Sequence, residues 1–261
     1  MNLSLKGKTA VIGGSSQGIG RAVADELAKL GATCILLARD EQRLADAVFS
    51  LRTAAGQTHS YHSIDFGDAA AVESLIQEII AQGPVHILIN NTAGPAAGPI
   101  VDATADQFLD TFQRHLLINH LLTTAVLPGM KSEGYGRIIN IISTSVKVPL
   151  KNLGVSNTIR GAVASWAKTM ANEVGQFGIT VNNVLPGATK TSRLEAVLNS
   201  TAQKKAQSIE EASAEMMAEI PAKRFGEPEE IAAVAAFLAS PAAAYVNGVS
   251  IPVDGGRTGS I

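Results

Sequence analysis

Thr9-Ala10-Val11-Ile12-Gly13-Gly14-Ser15-Ser16-Gln17-Gly18-Ile19-Gly20 runs straight into Arg21–Leu30, and this junction decides the fold. Thr9–Gly14 is short, apolar and β-branched, which is a strand pattern, while Arg21–Leu30 has helical period. The glycines between them permit a tight turn and let the backbone approach a ligand at the positive end of the helix. A glycine triplet alone is a weak sign, because any strand-to-helix turn can want glycine. Here the triplet opens a βαβ unit. In that setting Gly14, Ser16, Gln17, Gly18, Ile19 and Gly20 are expected to cradle the pyrophosphate of a dinucleotide.

The same alternation continues outward. Further strands are expected at Thr33–Ala38, Ser60–Asp65, Val85–Asn91, Arg137–Ser143, Thr180–Leu185 and Ser250–Val253. Most gaps are amphipathic; Ala69–Gln82 sets Val72, Leu75, Ile76, Ile79 and Ile80 on one side. This implies an α/β fold of Rossmann type, a doubly wound parallel sheet of about seven strands with helices on both faces. No linker, low-complexity tract or repeat interrupts the 261 residues, so 1–261 reads as a single domain. Ser192–Lys223 departs from strict alternation. It is a polar helical insertion past a strand's carboxyl end, where such sheets bind ligands, and is read as a lid in preference to a surface excursion.

Hydrophobic residues make up 46% and charged residues 17%, enough for a large core. The net charge of −2, with no basic block, argues against nucleic acid or an anionic membrane as the partner and leaves a small-molecule substrate. The lone cysteine, Cys34, lies in an apolar run, and Met1–Gly7 has no apolar signal core, so a cytoplasmic location is expected. Ile231–Val246, alanine-rich and broken by Pro241, reads as a buried helix at a subunit contact rather than a bilayer span. No metal site is expected. His59 and His62 point to opposite faces of a strand, and His115 and His120 do not share a helix face.

Several motifs in order resemble the short-chain dehydrogenase/reductase family. The glycine loop is similar to its T-G-x-x-x-G-x-G signature, with Gly13 where threonine is usual. Asp65, followed by Phe66, closes the third strand, where the family binds adenine. Asn90-Asn91-Thr92-Ala93-Gly94 resembles N-N-A-G with one extra residue, which brings Asn91, Ala93 and Gly94 to the cofactor. Pro186-Gly187, Thr189 and Thr191 resemble P-G-x-x-x-T beside the nicotinamide. Arg224–Glu230 and Val253–Gly256 resemble the C-terminal segment of 3-oxoacyl-acyl-carrier-protein reductases. The resemblance covers nearly the whole chain. It implies strand order 3-2-1-4-5-6-7 and a homotetramer or homodimer joined through Ile231–Val246 and Ser250–Gly256.

NAD-specific relatives place an acidic residue at the end of strand two. Here Ala38 is followed by Arg39, whose guanidinium suits a ribose 2′-phosphate, so NADP is expected over NAD.

For the reaction, the resemblance implies an Asn, Ser, Tyr and Lys set. Aligned on Gly136-Arg137-Ile138-Ile139, the serine falls on Ser143, while Ser156 and Arg160 stand where Tyr and Lys are usual. His115, rather than Asn119, occupies the asparagine position. A serine hydroxyl is far less acidic than a phenol, whose free pKa is about 10. Arg160 could bind a ribose hydroxyl but can hardly lose a proton. His115 could act as acid or base near neutrality, or fill space. Lys147, four residues after Ser143, could enter the cleft or remain solvated. Three readings stay open: an NADP-dependent oxidoreductase acting on a carbonyl/alcohol substrate through a non-standard site; a dinucleotide-binding sensor or partner subunit that has lost turnover; and a non-redox isomerase or lyase.

Overall fold

The computed structural model describes residues 1–260. Seven strands, all parallel, form one sheet in the order β3-β2-β1-β4-β5-β6-β7. They are β1 (Thr9–Gly13), β2 (Thr33–Ala38), β3 (Ser60–Ser63), β4 (Ile87–Asn90), β5 (Gly136–Ile141), β6 (Ile179–Pro186) and β7 (Ser250–Val253). The expected doubly wound sheet and its order are those observed. Four strand ends fall short of expectation, β1 and β4 by one residue, at Gly13 and Asn90, and β3 and β5 by two, at Ser63 and Ile141. Asp65 and Ser143 therefore stand beyond the ladder, in the loops that shape the cleft, rather than at strand ends. For Asp65 the reason is that the neighbouring β2 itself ends at Ala38, opposite Ser63.

Alternation along the strands sorts the core into two layers. Ala10, Ile12, Ile87, Ile89, Ile139 and Ile141 pack under α1 (Gly18–Lys29), α2 (Glu41–Ser50) and α9 (Pro228–Ala239). Val11, Leu88, Ile138 and Val181 face α3 (Ala69–Ala81), α5 (Ile118–Glu133) and α6 (Gly154–Val174). Burial on both faces is why the strands read as continuous apolar runs. No helix among the described residues is long and apolar enough to cross a membrane.

The stretch Ile231–Val246 is helical only in its first part. Its helix ends at Ala239, and Pro241 opens a short 3-10 turn. Ile231, Ala232, Ala235, Ala236 and Leu238 are buried in the layer shared with α1, while Ala233 stays exposed and Val234 and Phe237 only half-buried on the outer side. Exposed apolar side chains lie at Tyr245 near the end of this stretch and, away from it, at Val101, Leu109 and Leu117 around α4 (Ala105–Phe112).

Below the cleft runs a polar ladder. Asn90 Nδ2 donates to Asn140 Oδ1 (2.8 Å), Asn140 Nδ2 to Asn183 Oδ1 (2.9 Å), and Asn183 Nδ2 to Ser250 Oγ (3.0 Å). These residues occupy one register level across β4, β5, β6 and β7. Buried amides are costly unless paired, so the ladder pins the register of four strands directly beneath the loops. Beyond β6, α7 (Ser192–Lys205) and α8 (Ile209–Ala218) build a small core of their own from Leu194, Leu198, Ala202, Ala212, Ile220 and Phe225.

Candidate active site

The glycine loop is shaped by what surrounds it. Gly14 and Gly18 adopt φ +57°, a conformation that favours glycine. A Cβ on Gly20 would fall on the Gly14 carbonyl oxygen, and one on Gly13 would lie 2.8 Å from the Asn91 carbonyl oxygen. That approach leaves little room for a side chain at position 13. Asn91 Nδ2 donates to the carbonyls of Gly13 (3.1 Å) and Gly14 (3.2 Å), stapling the loop after β4 to the glycine loop. Ser15 ties the loop to β2, donating to Ile12 O (2.9 Å) and accepting from Leu37 N (3.0 Å).

Helix capping separates α1 from its neighbours. Asp40, Asp68, Thr191 and Ser208 cap α2, α3, α7 and α8 with their side chains. At α1 the N-cap is Gln17, and no side chain caps the helix. Its first N–H groups are thus left to a ligand, the arrangement that receives a phosphate. Gln17 instead hydrogen-bonds Ser192 Oγ (3.3 Å) and accepts from Arg43. Thr191 closes the opposite wall, its methyl 3.3 Å from where a Gly18 Cβ would stand. A cavity of ≈ 280 Å³ lies here, with Gln17, Gly18, Arg21, Thr191 and Ser192 among its walls.

At the end of β2, Arg39 is exposed and forms no ion pair among the described residues, whereas Asp40 accepts from Arg43 N (3.0 Å) and pairs with its guanidinium (3.2 Å). Sequence reasoning missed Arg43, one helical turn past Arg39; that spacing was the available signal. Asp65 Oδ1 accepts from Gly67 N (2.8 Å) and Arg114 (2.6 Å). The Gly67 amide first, then Arg114, hold its carboxyl below the usual range. The Phe66 ring is buried in the core beneath Gly13, so only its backbone can face a cofactor. Gly187 packs against Asp254, Thr189 is buried with its hydroxyl on Gly187 O (3.1 Å), and Thr191 donates to Thr189 O (3.2 Å).

Beside β5 the geometry is different. Ser143, extended and partly exposed, accepts from Ser145 N (3.1 Å) and keeps its own proton free to donate. Ser156 is buried, its Oγ accepting from Arg160 Nε (3.2 Å) one turn along α6. Arg160 Nη1 donates to Ile142 O (2.7 Å) and Ile141 O (3.4 Å), clasping the end of β5. Burial, with the nearby charge of Arg193, pushes this guanidinium down to about 10. His115 sits on a π-helical turn, Gln113–Leu117, a distortion often found at functional sites. Its Nδ1 meets Thr92 Oγ1 at 2.9 Å. Burial first, then Arg160, pushes the imidazole down to about 3, so it is neutral near pH 7 and holds no acidic proton of the kind a charged histidine would supply. Lys147 is exposed, and its side chain has no hydrogen-bond or ion-pair partner among the described residues. The fold thus gathers His115, Ser156 and Arg160 around the loop of Ala93 and Gly94, leaves Ser143 beside them, and turns Lys147 to solvent.

Comparison with known proteins agrees along the whole chain. The family model described as enoyl-(acyl carrier protein) reductase matches residues 14–258. The 3-oxoacyl-[acyl-carrier-protein] reductase FabG of Vibrio harveyi is 33% identical over 97% of this chain and 98% of its own. D-beta-hydroxybutyrate dehydrogenase of Cupriavidus necator is 32% identical over 97% and 98%. The crystal structure of L-sorbose reductase from Gluconobacter frateurii, complexed with NADPH and L-sorbose, superposes with a TM-score of 0.93 at 30% identity, covering 100% of both chains.

Proposed function

The chain belongs to the short-chain dehydrogenase/reductase family, and from that premise we propose an NADP-dependent oxidoreductase that interconverts a carbonyl and an alcohol through a reorganised site. One observation carries the cofactor choice: at the β2 end a free Arg39 and the Gln17-bound Arg43 offer guanidiniums, while the carboxylate that directly follows Arg39, Asp40, is engaged as a helix cap and by Arg43. Gly14–Gly20 and the uncapped α1 receive the pyrophosphate, Asn91, Ala93 and Gly94 line the middle, and Pro186, Gly187, Thr189 and Thr191 close the nicotinamide side. Asp65 and the Phe66 backbone border the adenine. Neighbours solved with NADPH, the sorbose reductase among them, support the same cofactor. Bound there, the nicotinamide supplies or accepts hydride.

Among the chain's own groups, Ser143 donates to the substrate oxygen. Neutral His115 and the Ser156–Arg160 pair shape the pocket without supplying an acid. Water or the substrate brings the proton. α7 and α8 act as a lid, Arg193 of α7 reaching across to Pro95 O (2.8 Å). The enzyme is cytoplasmic and assembles as a homotetramer or homodimer, in which the exposed apolar residues around α4 find cover. The second reading, a dinucleotide-binding protein without turnover, is favoured by one feature: the hydroxyl at the tyrosine position, Ser156, is already held by Arg160.

Titration with NADPH and NADH tests the cofactor. NADPH binds several-fold tighter, and Arg39→Ala removes most of the difference; equal affinities contradict the assignment. NADPH oxidation over a carbonyl panel tests turnover. Generic ketones react slowly, because a positioned acid ordinarily contributes about 10²–10⁴-fold. No turnover on any compound favours the second reading.

A further inference from the structure

The positive charges of the cleft fall into three groups along the sheet. Arg39 and Arg43 stand at β2, the uncapped α1 follows β1, and Arg160 and Arg193 meet above β4 and β5. Taking the cleft as the NADP site argued above, the first two groups account for the 2′-phosphate and the pyrophosphate. The third has no counterpart in the cofactor's own charges.

Arg160 and Arg193 converge on one spot. A Cβ on Gly94 would lie 3.2 Å from Arg160 Nη2 and 3.8 Å from Arg193 Nη2. Arg160 uses Nε and Nη1 on Ser156 and the β5 carbonyls; its Nη2, the nitrogen facing Gly94, has no hydrogen-bond partner among the described residues. Arg193 uses only Nη2, on Pro95 O (2.8 Å). No carboxylate forms an ion pair with either guanidinium among the described residues. Two like charges side by side, one of them desolvated, repel each other and lower the pKa of the buried member. An anion bound between them removes that repulsion, and planar guanidiniums match the two oxygens of a carboxylate.

We propose that Arg160 and Arg193 form a carboxylate clamp beside Gly94, so that the substrate is an oxo or hydroxy acid. Arg160 comes from the rigid sheet side and Arg193 from α7. The clamp is thus complete only when α7 lies over the cleft, and the acid group ties substrate binding to that closure.

The test uses the full-length protein saturated with NADPH. Lactate, 3-hydroxybutyrate, tartrate and gluconate are each titrated by calorimetry against the corresponding neutral amide. At least one acid binds about tenfold more tightly than its amide, the size of one charge-assisted hydrogen bond. Arg193→Gln, an exposed substitution, brings that preference below about twofold while NADPH alone binds within about twofold of wild type. Arg160→Gln gives the same loss if it folds, and Arg193→Gln decides the matter if it does not. Acid and amide binding alike in every pair, or no acid binding at all, overturns the clamp. So does an Arg193→Gln protein that loses NADPH as strongly as it loses the acid, since the guanidinium then serves a cofactor phosphate. Failure of wild type to bind NADPH appears before any acid is added and instead defeats the cofactor reading on which the clamp rests.

Discussion

Around β1 the loop keeps each contact that its glycines demand, whereas beside β5 we propose that His115, Ser156 and Arg160 stand at three of the four positions that the resemblance assigns to proton transfer. The two halves of the cleft are under different constraints. The glycine loop works through backbone: Gly14 and Gly18 at φ +57°, Gly20 against the Gly14 carbonyl, and an uncapped helix end. A side chain at Gly14 or Gly20 collides with main chain, which cannot yield, and one at Gly18 is strained by the positive φ. The other half works through side-chain acidity and charge. Ser156, Arg160 and His115 fit their places without disturbing the sheet, because Arg160 bonds Ser156 and the β5 carbonyls and His115 bonds Thr92. Binding geometry is thus retained where sterics enforce it, and chemistry can drift where only reactivity would object.

The largest expected effect tests the steric half. Gly20→Ala places a methyl on the Gly14 carbonyl oxygen, beside Asn91 Nδ2 at 2.7 Å. The loop must shift, and NADPH affinity falls by more than about a hundredfold, a loss that follows from misplacing several phosphate-binding N–H groups at once. Fluorescence titration measures it, with circular dichroism to confirm the fold. Affinity within a few-fold of wild type would mean that the loop is not held by sterics, and the contrast between the halves would collapse.

How legible each half was in the sequence follows the same division. Strand order and the glycine loop could be read because both depend on local period and on the few residues that tolerate positive φ. The ends of β3 and β5 were placed too far along, since their length depends on where neighbouring strands stop. Arg43 was marked locally only by its one-turn spacing from Arg39, and nothing local marks Arg193. Arg43 matters only because its turn of α2 faces Gln17, and Arg193 because α7 folds back to the loop after β4. The asparagine ladder was present as Asn90, Asn140 and Asn183, but recognising it needs the register. The apolar run around α9 was legible as buried, yet not as buried by α1 of the same chain.

An intermediate effect sharpens the chemical half. On the best substrate from the carbonyl panel, Ser143→Ala lowers kcat/KM about a hundredfold, as removal of one well-placed donor to a developing oxyanion does. Ser156→Ala changes it by less than about tenfold, because that hydroxyl lies buried in α6 beneath Arg160. Steady-state kinetics of both variants separate the two roles. Equal losses would place Ser156 at the reacting oxygen and make the substitution at the tyrosine position an active replacement.

The smallest effect concerns His115, where burial and Arg160 hold the folded-state pKa at about 3 against an ordinary value of 6.5. The sign follows from linkage. Between those values the unfolded chain binds a proton at this residue and the folded one does not, so stability falls as pH drops through the window. Above pH 6.5 the imidazole is neutral in both states and contributes no slope. Denaturant melts of the wild type at pH 7.5, 6.0 and 5.0 therefore show falling midpoints, and His115→Asn, which restores the family's residue type, flattens that fall. The same neutrality bears on turnover: kcat between pH 5 and 8 shows no ionisation that His115→Asn removes. A titration near pH 6.5 that does vanish in the variant would mean a charged imidazole in the working site. Proton transfer would then return to His115, and the division between a conserved binding half and a chemically drifted half would lose its strongest support.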